Sequence, residues 1–194
     1  SSYSLYILVA LRRDEKMSLE AGINYFLVGI FASAIMLFGV ALLYSTTQAT
    51  FISDMVRVLP GILNTPAALI GMLLTLCGFF FKLAVFPFHF WAPDVYQGAR
   101  TPVTLYLASA PKLAALALIF RVLVDGLGGL HETWGTMIMF LAVLSIIVGN
   151  FIAIAQSNIK RMLGYSTIGH VGFILLAIYT GTSDGYASAL FYAL

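Results

Sequence analysis

Apolar residues in this chain come in runs of twenty or more, neither at alternate positions nor as one stripe of a short helix. Such stretches cover residues 19–44, 66–91, 101–124, 134–156 and 161–181. Residues 1–11 read as the end of one further run and 185–194 as the start of another. A helix crossing the hydrocarbon of a bilayer needs about 20 mostly apolar residues, so each complete run predicts a spanning helix. The breaks between them are turn-like or charged: RRDEKMS, STTQATFISDMVRVLPG, APDVYQGAR, DGLGGLHE, QSNIKR and TGTSDG. No alternating stretch is long enough for a barrel. In lipid the backbone must satisfy its own hydrogen bonds, which leaves helices. The predicted fold is an all-α, polytopic transmembrane bundle forming a single membrane domain over residues 1–194.

Composition agrees with this pattern. Hydrophobic residues make up 61% of the chain and charged ones 9%, against about 25% charged in an ordinary soluble domain. A soluble fold would have almost nothing left to solvate its outside. The net charge of +2 is too small to suggest nucleic acid, and the basic residues form no stripe interleaved with aromatics. The single Cys77 makes neither an internal disulfide nor a metal site and reads as packing. No charged n-region precedes the first apolar run, so no signal peptide is read. The chain opens on SSYSLYILVAL and stops at ASALFYAL, both inside apolar runs, so an internal piece of a longer protein is expected.

Loop charges give an orientation. Arg12, Arg13 and Lys16 fall in the first loop, Arg100 in the third, and Lys160 with Arg161 in the fifth. The intervening loops carry Arg57, with Arg121 near a helix end. The positive-inside rule then puts the loops near 12–18, 92–100 and 156–161 on the cytoplasmic side. Gly29 with Ser33, and Ser145 with Gly149, are small pairs four residues apart, a spacing that permits close helix contact.

Two lysines lie inside predicted spans, Lys82 in the third and Lys112 near the middle of the fourth. A lysine at the bilayer centre costs about 2.5–3.5 kcal/mol on insertion scales. One near a helix end can snorkel to the interface, but Lys112 has half its helix on either side. The functional reading is a proton relay, because burial disfavours an ammonium ion and lets a buried amine exchange its proton near neutral pH. A relay also calls for an acid, and the spans hold none. Asp94, Asp125, Glu132 and Asp184 are near loops, and Glu20 is at a helix start.

Pro87 removes a backbone donor and breaks its helix five residues after Lys82. Backbone carbonyls freed at membrane depth must line water or other protein, and are expected to solvate Lys82 or a water chain. Pro111 predicts a kink beside Lys112. Histidine is the side chain suited to proton shuttling, which singles out His170 in GYSTIGHVGF, although a lone membrane histidine also serves in helix-to-helix hydrogen bonding. Its neighbours Tyr165, Ser166 and Thr167 are candidates for binding water or cross-linking helices. His89 follows the break and is expected nearer the surface, in a structural hydrogen bond. Trp91 and Tyr96 read as interfacial anchors.

The stretch FKLAVFPFHFWAPDVYQGARTPVTLYLASAPK closely resembles the subunit N family of proton-pumping NADH-quinone oxidoreductase, respiratory complex I. GNFIAIAQSNIKRMLGYSTIGHVGFILLAI and KMSLEAGINYFLVGIFASAIMLFGVALLY resemble the same antiporter-like subunits. The likeness covers nearly the whole chain, with residues 45–65 least distinctive. Related antiporter-like subunits share the Pro, Trp, Pro and Asp framework but usually differ in DVYQGA.

The resemblance implies a fourteen-helix membrane subunit built of two inverted five-helix repeats, each with a broken helix. Residues 1–11 would then end the fifth helix. Lys82 would be the central lysine of the broken seventh helix, Lys112 the lysine of the eighth, and His170 a tenth-helix residue near the water-filled route onward. The family's glutamate, in a Glu-Leu-x-Ser-like pattern, would precede Ser1, and the second broken helix would follow Leu194. Pro111 is a departure, since a small residue such as Ser is expected before the lysine. The implied function is proton translocation coupled to quinone reduction in a bacterial inner membrane, beside adjacent antiporter-like and small membrane subunits. NADH, FMN, iron-sulfur clusters and quinone would bind elsewhere in the complex, with no cofactor in this chain. Rival readings are a subunit of a multisubunit cation/proton antiporter or membrane-bound hydrogenase, against which DVYQGA argues, and a non-conducting scaffold, against which the buried lysines argue.

Overall fold

A computed structural model describes residues 2–11 and 15–193, with only the backbone course at Ser2 and Asp125. The first-loop charges read at Arg12 and Arg13, and the terminal residues Ser1 and Leu194, fall outside the described residues. Among the described residues the regular structure is all helical, with no strand. Its α-helices are α1 (Ser2–Val9), α2 (Lys16–Thr47), α3 (Ile52–Ile62), α4 (Pro66–Leu83), α5 (Trp91–Gly98), α6 (Thr101–Ala108), α7 (Ala110–Phe120), α8 (His131–Ile154), α9 (Ile159–Tyr179) and α10 (Ser183–Ala193). A π-helical turn, Arg121–Gly126, and a 3-10 turn, Gly128–Leu130, join α7 to α8.

Among the described residues five helical stretches are long and apolar enough to cross a membrane: Lys16–Thr47, Pro66–Leu83, Thr101–Val124, Gly128–Ile154 and Ile159–Tyr179. Their boundaries follow local chemistry. Pro66 sits in the first turn of α4, where its missing N–H costs nothing. The Asn158 side chain accepts from the Lys160 and Arg161 amides and caps α9.

Three segments differ from the sequence reading. The third apolar run, read as 66–91, is helical only to Leu83. Ala84 turns left-handed at φ 60°, and the Ala84 and Val85 amides close back onto the Phe80 carbonyl. The helix therefore ends four residues before Pro87. Residues 92–98, read as loop, belong to α5, which packs on α9 and α2. Residues 52–62, also read as loop, form α3. Its apolar residues Ile52, Met55, Val56 and Leu59 recur at helical spacing, and Leu59 is buried. The run is too short to span a bilayer, which is why a membrane-length reading passes over it.

Lipid tails offer no hydrophobic drive between helices, so association rests on close packing and small residues. A Cβ at Gly149 on α8 would lie 2.5 Å from the Gly169 amide nitrogen of α9. One at Gly39 on α2 would lie 2.6 Å from the Thr75 amide nitrogen of α4. At both crossings the backbones touch. Ser145, fully buried on α8, accepts a hydrogen bond from the Phe86 amide at 3.0 Å and so ties the broken segment to the bundle.

The packed interior falls into two clusters. One gathers Leu76, Phe80, Leu116, Ile119, Trp134 and Leu175 among others. The second gathers Tyr6, Tyr25, Phe81, Trp91, Tyr96 and Ile168. Lys82 sits between Phe81 of the second cluster and Leu83 of the first, at their seam.

The charged loops collect at one end. Met17, Glu20, Asp94, Gln97 and Arg161 line one polar pocket. Arg161 bonds Asp94 at 2.5 Å and Gln97 at 3.0 Å, while the Lys160 ammonium donates to the Ala99 carbonyl at 3.0 Å. Beside the π turn, Gly126 lies near Val56 and Ile52 of α3. His131 at the start of α8 bonds the Tyr179 carbonyl at 2.8 Å.

Candidate functional site

The broken end of α4 positions Lys82. Helix ends leave carbonyls without intrahelical partners, and here protein groups meet them. The Phe81 carbonyl accepts from the Ala84 amide at 3.0 Å and from the Trp91 indole N–H at 2.8 Å. Trp91 stacks on Tyr25 with ring centroids 4.8 Å apart. Trp91 and Tyr96 are thus buried parts of the site, and the reading of both as interfacial anchors is corrected. Both have an apolar body and a polar tip, which suits a wet cavity in a protein as well as a membrane surface.

Lys82 is half-buried. It lines a small cavity of about 40 Å³ together with Tyr6, Tyr25, Trp91, Pro111 and Lys112. A site needs about 10–15 Å³ to admit one water, so this cavity has room for water between the two lysines.

Lys112 is 9% exposed, and its ammonium nitrogen has no hydrogen-bond partner among the described residues. It lies 5.5 Å from the centre of the Tyr96 ring, whose electron-rich face attracts a cation. Pro111 does not kink a continuous helix. The fourth span breaks at Ser109 (φ −107°, ψ −85°), and Pro111 occupies the first turn of α7, where proline is tolerated. Lys112 therefore stands in the opening turn of α7, just past a break in the backbone.

Lys112 also lines a second, larger cavity of about 520 Å³. Ser109, Thr167, His170 and Tyr192 supply its polar walls. His170 Nδ1 is 2.8 Å from the Tyr192 hydroxyl. Lys112 is the residue common to both cavities.

The other candidates divide. Thr167 faces the large cavity and bonds its own helix at the Gly164 carbonyl, 2.8 Å away. Tyr165 meets Arg161 and the His89 ring, and Ser166 is half-buried on α9. Pro87 borders a separate apolar pocket with Phe31, Phe88 and Trp91. His89 is 3% exposed and stacks against Phe86 and Phe90, with Nδ1 unpartnered. This overturns its expected place near the surface, because the turns after Leu83 fold inward. Tyr192 escaped the sequence reading altogether. The available signal was a hydroxyl within the apolar run ASALFYAL.

A family model described as NADH:quinone oxidoreductase/Mrp antiporter, TM, matches residues 1–194. The chain belongs to this family. It is a multi-pass membrane protein with the antiporter-like fold. Over 197 residues it is 55% identical to NADH-quinone oxidoreductase subunit N 2 of Syntrophobacter fumaroxidans, covering 100% of this chain and 41% of that protein. The chain thus spans about two-fifths of the length of such a relative. Among solved structures, respiratory complex I from Thermus thermophilus is similar with a TM-score of 0.80 at 39% identity, covering 99% of this chain and 41% of that one. An archaeal membrane-bound sulfane sulfur reductase is similar with a TM-score of 0.85 at 30% identity, covering 99% and 39%.

Proposed function

We propose that this chain is a proton-translocating segment of a membrane subunit of NADH-quinone oxidoreductase, in which Lys82, Lys112 and His170 relay protons coupled to quinone reduction. The observation that carries this reading is the position of Lys112, a buried ammonium without a hydrogen bond that lines both cavities. A buried charge of this kind is costly and marks a pathway in membrane proteins. Two ammonium groups facing one small cavity repel, so the cavity favours one proton held between Lys82 and Lys112. A proton arriving at Lys82 then drives one from Lys112 toward the larger cavity and His170. Water in the cavities carries it across gaps that the side chains do not close. Pro111 lines the small cavity and Thr167 the large one, while Pro87 lies in the irregular segment that follows α4. His89, Tyr165 and Ser166 shape the wall behind the broken segment.

In this reading the chain holds no redox cofactor. NADH, FMN, iron-sulfur clusters and quinone bind elsewhere in the complex, and the partners are neighbouring antiporter-like and small membrane subunits in a bacterial inner membrane. The end that gathers Lys16, Arg100, Lys160 and Arg161 faces the cytoplasm. A second reading, a subunit of a cation/proton antiporter or another respiratory membrane assembly, draws on the family model, which also covers Mrp antiporters, and on the likeness to the sulfane sulfur reductase. The 55% identity to a subunit N favours the first.

The test is NADH-driven proton pumping by the whole complex in membrane vesicles carrying Lys82→Ala, with NADH oxidation recorded alongside. The expected result is loss of pumping with slowed oxidation. Pumping at the unmodified rate and stoichiometry would make this lysine structural.

A further inference from the structure

We propose that Tyr192 is a positioning residue for His170, holding its imidazole in the tautomer whose Nε2 takes up a proton. This inference rests on the relay reading. The two residues come from different helices, α9 and α10, and meet at 2.8 Å through Nδ1 and the phenol oxygen. Their ring centroids are 5.9 Å apart and tilted by 45°, so the contact is made by the hydroxyl and not by stacked faces. Both line the large cavity that also receives Lys112.

A hydroxyl either donates to an imidazole nitrogen or accepts from it. If Tyr192 donated to Nδ1, the bond would have to break each time His170 became imidazolium, because both nitrogens then carry protons. If the Tyr192 oxygen accepts from Nδ1–H, one bond serves the neutral and the charged ring alike. Nε2 is then left bare in the neutral state as the proton acceptor. The tyrosine's own proton turns to a water or stays free to rotate. In the accepting arrangement one proton enters at Nε2 and leaves from Nε2, with no change at Tyr192. Lys112, on α7, is the other titratable side chain lining this cavity, and Ser109 and Thr167 supply its hydroxyls.

The experiment uses the whole complex in vesicles, with pumping expressed per assembled complex from pH 6 to 8. Tyr192→Phe, His170→Gln, the double variant and Lys112→Ala are compared. Tyr192→Phe is expected to slow pumping on the order of tenfold, less than the roughly 10²–10⁴ that a proton-transfer group itself contributes, because Tyr192 acts only through His170. Its pH profile should change shape instead of merely scaling. The double variant should be no slower than His170→Gln alone, as for residues acting through one link. Unmodified pumping by Tyr192→Phe overturns the inference, as does a double variant whose losses multiply. Tyr192→Leu is read in the same cycle if the Phe variant assembles poorly. Loss of pumping in Lys112→Ala with none in Tyr192→Phe sinks this inference alone, whereas normal pumping in Lys112→Ala sinks the relay reading itself.

Discussion

Substituting Gly149 by Ala puts a methyl group where two backbones already touch. The new Cβ would lie 2.5 Å from the Gly169 nitrogen, 2.9 Å from the Tyr165 oxygen and 3.0 Å from the Gly169 Cα. All three are backbone atoms, so no side chain can swing aside. Carbon contacts relax only near 3.5–4.0 Å, so α8 and α9 must part locally by about 1 Å. In lipid the lost packing is not recovered elsewhere. Overpacking costs about 1–3 kcal/mol, while alanine regains up to about 1 kcal/mol of helix propensity over glycine. With the full regain the net loss is up to about 2 kcal/mol, and at that upper end it changes abundance several-fold. The assay is the amount of the subunit assembled in membranes, with Gly61→Ala as control. Gly61 lies on α3 with nothing within 4 Å of a new Cβ, and its variant should match the unmodified protein. Equal accumulation of the two variants would refute the backbone-contact argument. Because His170 follows Gly169 on α9, the Gly149→Ala complex that does assemble should also pump more slowly.

Two further outcomes follow from the walls of the small cavity. Trp91→Phe removes the indole bond to the Phe81 carbonyl but leaves a ring for Tyr25 to stack on, so assembly should fall by an amount equivalent to about 1 kcal/mol. Trp91→Leu should fall further, since an aromatic pair adds about 0.5–1.5 kcal/mol, and unchanged assembly of the Leu variant would contradict the described packing. Tyr96→Phe keeps the ring face toward Lys112 and removes only the hydroxyl, so it should pump close to normally. Tyr96→Leu, which strips the ring from beneath Lys112, should pump slowly, and equal damage from both variants would show that the ring face is not what matters.

The membrane architecture was legible in the sequence because hydrocarbon thickness imposes a length on every span. The irregular parts were not. Proline is a loud signal, so the break in the third run was read at Pro87, yet the helix ends at Ala84, a residue with no sign of its left-handed turn. Pro111 likewise suggested a kink, where the break is at Ser109 and the proline starts a new helix. Trp91 and Tyr96 were assigned to the membrane surface by residue type, and only packing reveals that they line the lysine site. Lys82, Lys112 and His170 stood out because charge and imidazole are expensive in apolar runs. Their juxtaposition did not, since it depends on how α4, α7, α9 and α10 meet. Tyr192 shows the same limit, lying 22 residues beyond its partner.

The most direct measurement is proton pumping by the whole complex carrying Lys112→Met, which keeps an unbranched side chain and removes the charge. Pumping in vesicles would be followed with NADH oxidation and with the amount of assembled complex. The account predicts normal assembly, pumping reduced to background and slowed oxidation. Pumping at the unmodified rate, with the same number of protons per NADH, would contradict the claim that Lys112 carries the proton between the two cavities.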